Sequence, residues 1–200
     1  MDAFHAIAEK TPDGVFSILG NHDYGDYWQW PSEEAKRANL DRLKATHAAL
    51  GWRLLLNEAL VLKRGTGQLD LVGVENWGLP PFPQYGNLER ALEGLDPQQP
   101  KILLSHDPSH FDAVVKKHPA NIGLTLSGHT HGMQFGIEIP GWIQWSPVKW
   151  KYPKWAGIYR DNASGKALYV NRGFGYLAFP GRVGIWPEIT VLELTAKPLS

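Results

Sequence analysis

Three short apolar runs in this sequence end in the same way, and that repetition limits the architectures open to it. Leu19 is followed by Gly20, Asn21, His22 and Asp23, Leu104 by Ser105, His106 and Asp107, and Leu126 by Ser127, Gly128, His129, Thr130 and His131. Runs of this kind read as buried strands, and in open α/β sheets such strands deliver functional groups at their carboxyl ends, where neighbouring loops converge. Four histidines, two aspartates and one asparagine are therefore expected to meet in one crevice. Within it, His129 and His131 stand two apart, so an extended backbone would turn both imidazoles the same way.

The rest of the chain supports an α/β reading. Residues 2–9 show a short helical pattern, and Pro12, Asp13 and Gly14 form a turn into the first apolar run. Ser32 before Glu33 and Glu34 marks a capped helix start, and Leu40, Leu43, Thr46, Ala49 and Leu50 recur at helical spacing up to Gly51. Segments 54–56, 60–62 and 69–74 read as strands with a turn at 65–67, which predicts a hairpin. Segments 87–95 and 109–117 read as helices alternating with strands at 102–104 and 122–126. Trp142, Trp145, Trp150 and Trp155, set among prolines, predict an ordered loop, followed by a hairpin at 157–160 and 167–170 and a final strand at 189–194. With no internal repeat or dividing linker, residues 1–200 are expected to form a single domain.

Composition narrows the chemistry. The 43% hydrophobic content suffices for a real core, and 20 basic against 20 acidic residues give no long-range pull toward polyanions, so no nucleic-acid partner is expected. The absence of cysteine removes disulfide scaffolds, thiolate metal sites and cysteine nucleophiles, leaving nitrogen and oxygen donors suited to manganese, iron or zinc. No apolar stretch approaches the roughly 20 residues that cross a bilayer, and no signal peptide is visible, so the chain reads as soluble as given.

In order, the motifs Gly20-Asn21-His22-Asp23, strand-end His106 and Gly128-His129-Thr130-His131 resemble the calcineurin-like metallophosphoesterases. That family carries, in chain order, Asp-x-His, Gly-Asp, Gly-Asn-His-Asp/Glu, a strand-end His and Gly-His-x-His. The continuation Gly132, Met133, Gln134 looks like the branch containing membrane-associated bacterial phosphodiesterases, and the resemblance runs on through Asn171, Arg172, Gly173 and the segment 182–188. It implies a two-sheet β-sandwich flanked by helices, a four-layer αββα arrangement within the mixed α/β and α+β class. It also implies two divalent metal ions, with Asn21, His106 and His129 as ligands of one and His131 of the other. His22 would protonate the leaving oxygen, with Asp23 orienting it. The implied reaction is hydrolysis of a phosphodiester or pyrophosphate bond in a small-molecule or lipid-linked substrate, in a parent that is bacterial and associated with the cytoplasmic membrane.

The family's Asp-x-His and Gly-Asp motifs are absent before Gly20. The chain is therefore expected to lack the first strands of the fold, to belong to a parent extending upstream, and to be poorly stable or weakly active alone. An alternative function is a catalytically incomplete metal-binding module whose Trp-rich loop, interleaved with Lys149, Lys151 and Lys154, contacts a glycan or a membrane interface. Glu75 and Asn76, ending the strand at 69–74, are expected to sit in a satisfied turn, and Arg172 and Arg182 are candidates for phosphate contact or structural hydrogen bonding.

Overall fold

The computed structural model describes residues 2–195. Its centre is a six-stranded mixed sheet in the order β3-β4-β5-β6-β10-β9, built from β3 (Glu58–Arg64), β4 (Gly67–Gly73), β5 (Lys101–Leu104), β6 (Ile122–Ser127), β9 (Gly157–Asp161) and β10 (Lys166–Val170). The inner four strands run parallel, and the two outer ones are the antiparallel arms of hairpins. The hairpin of β3 and β4 turns at Gly65, whose φ of 59° is the left-handed conformation that a two-residue turn requires.

One face of the sheet is closed by helices. Leu88 and Ala91 of α3 (Leu88–Ala91) and Phe111 of α4 (Ser109–Ala113) are buried in one cluster with Val72, Leu103, Leu168 and Val170 of the strands. Against the other face lies the parallel pair β1 (Val15–Ser17) and β2 (Trp52–Leu54), whose continuations place Ile18 and Leu55 on Leu71 and Ile102. The approach is close at Gly73, where a Cβ would stand 2.4 Å from that of Leu55. Outside this pair lies α2 (Glu33–Ala49), tied to β1 by His47 Nδ1 and Ser17 Oγ at 2.9 Å. As expected, Ser32 caps α2, its Oγ accepting from Ala35 N at 3.2 Å. From outside to inside the layers are thus helix, strand pair, sheet and helices. This is the mixed α/β sandwich that the sequence implies, with its second sheet represented by two strands.

Three expectations need correction. The final strand at 189–194 does not form: the segment is irregular, with Ile189 and Val191 82% and 91% exposed, because no described strand lies beside it to complete a ladder. It is held instead by Thr190, which bonds Tyr169 and Asn171. The helix expected over 109–117 stops at Ala113 and continues as a 3-10 turn over Val115–Lys117. The Trp-rich loop contains regular structure, a hairpin of β7 (Ile137–Ile139) and β8 (Ile143–Trp145) followed by a 3-10 turn (Pro147–Trp150).

Removing volume at the sheet centre and at the unpaired terminus should have unequal effects. Leu103→Ala, at a fully buried position, is expected to cost about 2–5 kcal/mol in urea unfolding. Val191→Ala should stay within roughly 0.5 kcal/mol of the parent.

Candidate metal centre

The parallel register brings the carboxyl ends of β4, β5, β6 and β10 to one edge, and β1 points the same way from the second layer. Asn21, His22 and Asp23 follow β1, His106 follows β5, and His129 and His131 follow β6. All six line one crevice of ≈ 480 Å³, together with Phe82, Tyr176 and Leu177.

Three of the six converge on a point. Asn21 Oδ1 lies 3.0 Å from His106 Nε2 and 3.0 Å from His129 Nδ1, and the two ring nitrogens are 3.2 Å apart. A proton on His106 Nε2 can serve two of these contacts, and the third, between His129 Nδ1 and Asn21 Oδ1, depends on the His129 tautomer. Tyr152 donates to Asp107 Oδ2 at 3.2 Å, so its oxygen is free to accept from His129 Nε2 at 2.7 Å. That assignment puts the His129 proton on Nε2 and leaves Nδ1 with a lone pair facing the lone pairs of Asn21 Oδ1. Asn21 is oriented likewise, because its Nδ2 donates to Tyr27. Facing lone pairs at this distance repel unless a cation lies among them, and a histidine held through its second nitrogen is the usual arrangement of a metal ligand. The donor set therefore fits one divalent ion.

Electrostatics favour the same state. Burial, and then the neighbouring His129, push the His106 pKa down to about 3. Burial and His131 lower that of His129 to about 4. Both rings stay neutral, with ligating lone pairs, well below neutral pH. His131 is also lowered, by burial and then by Arg182, and its Nδ1 is buried without a hydrogen-bond partner. An orphaned nitrogen on the crevice wall is what a second ligand position requires. Nevertheless, no group of three or more His, Cys, Asp or Glu side chains gathers to hold a metal among the described residues. The cluster offers two imidazoles and an amide, and His131 stands apart from it.

The remaining site residues fall differently. His22 is exposed and packs on Tyr27, with ring centroids 4.6 Å apart. Asp23 accepts from Gly20 N at 2.7 Å, so its carboxylate braces the turn carrying Asn21, and no hydrogen bond joins it to His22 among the described residues. Gly20 is required by packing, since a Cβ there would lie 2.7 Å from the His106 ring. Arg172 is structural, its Nε bonding Glu188 at 2.7 Å and its guanidinium pairing with Glu138. Arg182 donates to the carbonyls of His131, Arg172 and Gly175. Glu75 is satisfied as expected, by Asn57 and Tyr24, whereas Asn76, whose N donates to the Tyr24 hydroxyl and whose Nδ2 donates to the Pro83 carbonyl, keeps Oδ1 buried without a hydrogen-bond partner.

The backbone after β6 is strained. His129, His131, Met133 and Gln134 all have positive φ, between 51° and 67°, where non-glycine residues cost about 1 kcal/mol or more each. The strain aims the two histidines into the crevice from consecutive turns.

Sequence reasoning missed Tyr152 and the role of Asp107. Asp107 was visible beside His106, whereas Tyr152 reaches across from a distant loop and carries no local signal.

No family model matches the chain, and no solved structure matches it. Among curated proteins it is 32% identical over 186 residues to the Bacillus subtilis protein named uncharacterized metallophosphoesterase YkuE, covering 92% of this chain and 57% of that one. It is 38% identical over 113 residues to a bovine transmembrane protein with metallophosphoesterase domain, covering 56% of this chain and 23% of that one. A Helicobacter pylori protein named as an uncharacterized metallophosphoesterase is 29% identical over 190 residues, 94% of this chain and 44% of its own length. The chain thus spans about half or less of most of these relatives. With the motifs in order and the fold in place, these similarities support the calcineurin-like metallophosphoesterase superfamily for this chain.

Stability should fall on acidification through the buried histidines. His106, His129 and His110, the last lowered by burial to about 4, titrate near 6.5 when unfolded. The unfolded state then binds more protons than the folded one between roughly pH 6.5 and pH 3, so stability is complete above that window and is lost as pH falls through it. Urea midpoints measured across the window should decline on going down. His110→Phe, which removes a buried titrating ring stacked on Trp77, should flatten the decline.

Proposed function

We propose that this chain supplies the larger part of a metal-dependent phosphoesterase site, which hydrolyses a phosphodiester or pyrophosphate bond through two divalent ions. The observation that carries the reading is the convergence of Asn21 Oδ1, His106 Nε2 and His129 Nδ1 at contacts of 3.0–3.2 Å, with the Tyr152 relay turning the lone pair of His129 Nδ1 toward Asn21 Oδ1. These three hold one ion, and His131 offers its unpartnered Nδ1 to the other. Bound there, manganese, iron or zinc supplies Lewis acidity and charge neutralisation at the phosphoryl oxygens.

The chain's own residues do the rest. His22, exposed at the mouth and steadied by Tyr27, donates a proton to the departing oxygen. Asp23 acts one step removed, fixing the turn through Gly20 N so that Asn21 and His22 face the crevice. Asp107 and Tyr152 hold His129 in the tautomer that keeps Nδ1 free. Phe82 packs edge-on against His129 at 4.9 Å and, with Tyr176 and Leu177, keeps bulk water from that side. The apolar walls suit a substrate with an organic or lipid-linked group beside its phosphate.

A second reading, a module that holds metal without turnover, is favoured by one observation. No third His, Cys, Asp or Glu joins His106 and His129 among the described residues.

Metal content by elemental analysis and hydrolysis of bis-p-nitrophenyl phosphate separate the two. His129→Ala should abolish metal retention. His22→Ala should leave metal content unchanged while lowering turnover about a hundredfold or more. Metal retained in His129→Ala would sink the site assignment, whereas metal bound without turnover by the parent chain would favour the module.

A further inference from the structure

The segment leading from the metal centre into β7 and β8 is amphipathic in the reverse of the usual sense. Gly132, Gln134, Gly136 and Glu138 turn inward, whereas Met133, Phe135, Ile137 and Ile139 are exposed. The inward polar groups are all engaged. Gln134 Nε2 donates to the carbonyls of Phe179 and Gly181, its Oε1 accepts from Leu177 N, and Glu138 pairs with Arg172. In the hairpin the cross-strand pairs Ile137 with Trp145 and Ile139 with Ile143 share one face, and Glu138 with Gln144 the other. A ribbon on a soluble surface ordinarily shows water its polar side. This one binds the body through Glu138, leaves Gln144 exposed beside it and presents isoleucines outward, with Trp142 at the tip 81% exposed.

The apolar surface extends in two directions. Phe135 bridges to Val183, and the loop that Gln134 pins exposes Phe174, Tyr176, Leu177 and Phe179. Beyond β8, Trp150 is 76% exposed and flanked by Lys149 and Lys151. Neither lysine forms an ion pair among the described residues, and Lys151 lies over the Phe82 ring at 4.7 Å. Between Met133 and Lys151 the sole acidic side chain, Glu138, is turned inward and paired. Outward-facing charge on this stretch is therefore entirely positive.

We infer that this surface docks on an anionic lipid bilayer, with Ile137, Ile139, Trp142 and Trp150 entering the interface and Lys149 and Lys151 meeting lipid phosphates. Exposed tryptophans beside lysines suit the interfacial layer, where an amphipathic ring and a cation each find a partner. Net charge zero for the whole chain argues against long-range attraction, so docking depends on this local pairing of apolar insertion with cations. Because Tyr176 and Leu177 belong both to this surface and to the crevice wall, docking places the metal centre at headgroup depth.

Vesicle co-sedimentation tests the inference without any turnover. The chain is expected to pellet with phosphatidylcholine vesicles containing roughly one-third phosphatidylglycerol, and less with phosphatidylcholine alone. Trp142→Ser with Trp150→Ser should weaken partitioning about tenfold or more with the thermal melt unchanged. Lys149→Gln with Lys151→Gln should remove the preference for anionic vesicles while retaining residual binding. If the tryptophan variant melts abnormally, Ile139→Asp, also at an exposed position, carries the same test. A parent chain that stays in the supernatant with both vesicle types overturns the proposal, as does undiminished binding by the variants. A surface that instead joins two copies of the chain would show as a dimer in sedimentation without lipid, dissociated by the tryptophan variant, and that result too would overturn it.

Discussion

The crevice depends on the parallel alignment of β4, β5, β6 and β10, because only a parallel run sends successive carboxyl ends to the same edge. Of these strands, β5 supplies His106 and β6 supplies His129 and His131 just beyond their last residues. Ser105 N still bonds Leu126 O, and Gly128 N bonds His106 O, so the loops bearing His106 and His129 are clamped together just where they leave the sheet. The rings are placed by backbone pairing, and side-chain contacts adjust them afterwards. The second layer must meet this edge at the correct height, which the close contact of Leu55 with Gly73 sets on one side of the sheet.

On that base the metal centre is assembled by hydrogen-bond polarity. Asp107 accepts, Tyr152 donates to it and accepts from His129, and the relay ends in a nitrogen whose lone pair meets that of Asn21. Every member is at least partly buried, so a reversed proton would leave a polar atom unsatisfied where the dielectric is low. The left-handed residues His129, His131, Met133 and Gln134 cost conformational energy, which the surrounding contacts offset: Thr130 Oγ1 donates to Trp155 O, and Ser146 Oγ donates to Gly132 O. Strain here is maintained by neighbours around Ser146 and Trp155.

Much of this could be read from the sequence, and the boundary of legibility is physical. Strand ends were visible because a buried strand must be apolar and its functional terminus must be polar, so Leu19, Leu104 and Leu126 each mark the point where site residues begin. Gly20 stands in the motif, but its task, leaving room for the His106 ring, lies in tertiary contact. Tyr152 was hidden because a single hydroxyl delivered from an irregular loop has no periodicity. The segment at 189–194 has the composition of a strand, yet a strand is a property of two chains side by side, and its apolar alternation could not show that no described partner stands next to it. The hairpin of β7 and β8 was read as a loop because proline and glycine interrupt it, and its inverted faces emerge only once Arg172 is seen beneath Glu138.

Gln134 has a consequence of a mechanical kind. One amide side chain ties the strand entering the hairpin to three points of the loop that walls the crevice, at Leu177, Phe179 and Gly181. Its own backbone is held in a left-handed conformation, so it has little freedom to yield. The hairpin and the crevice wall are thus tied to each other through one side chain. The stiffness of the opening is then set outside the ligand set, by a residue that touches none of its members.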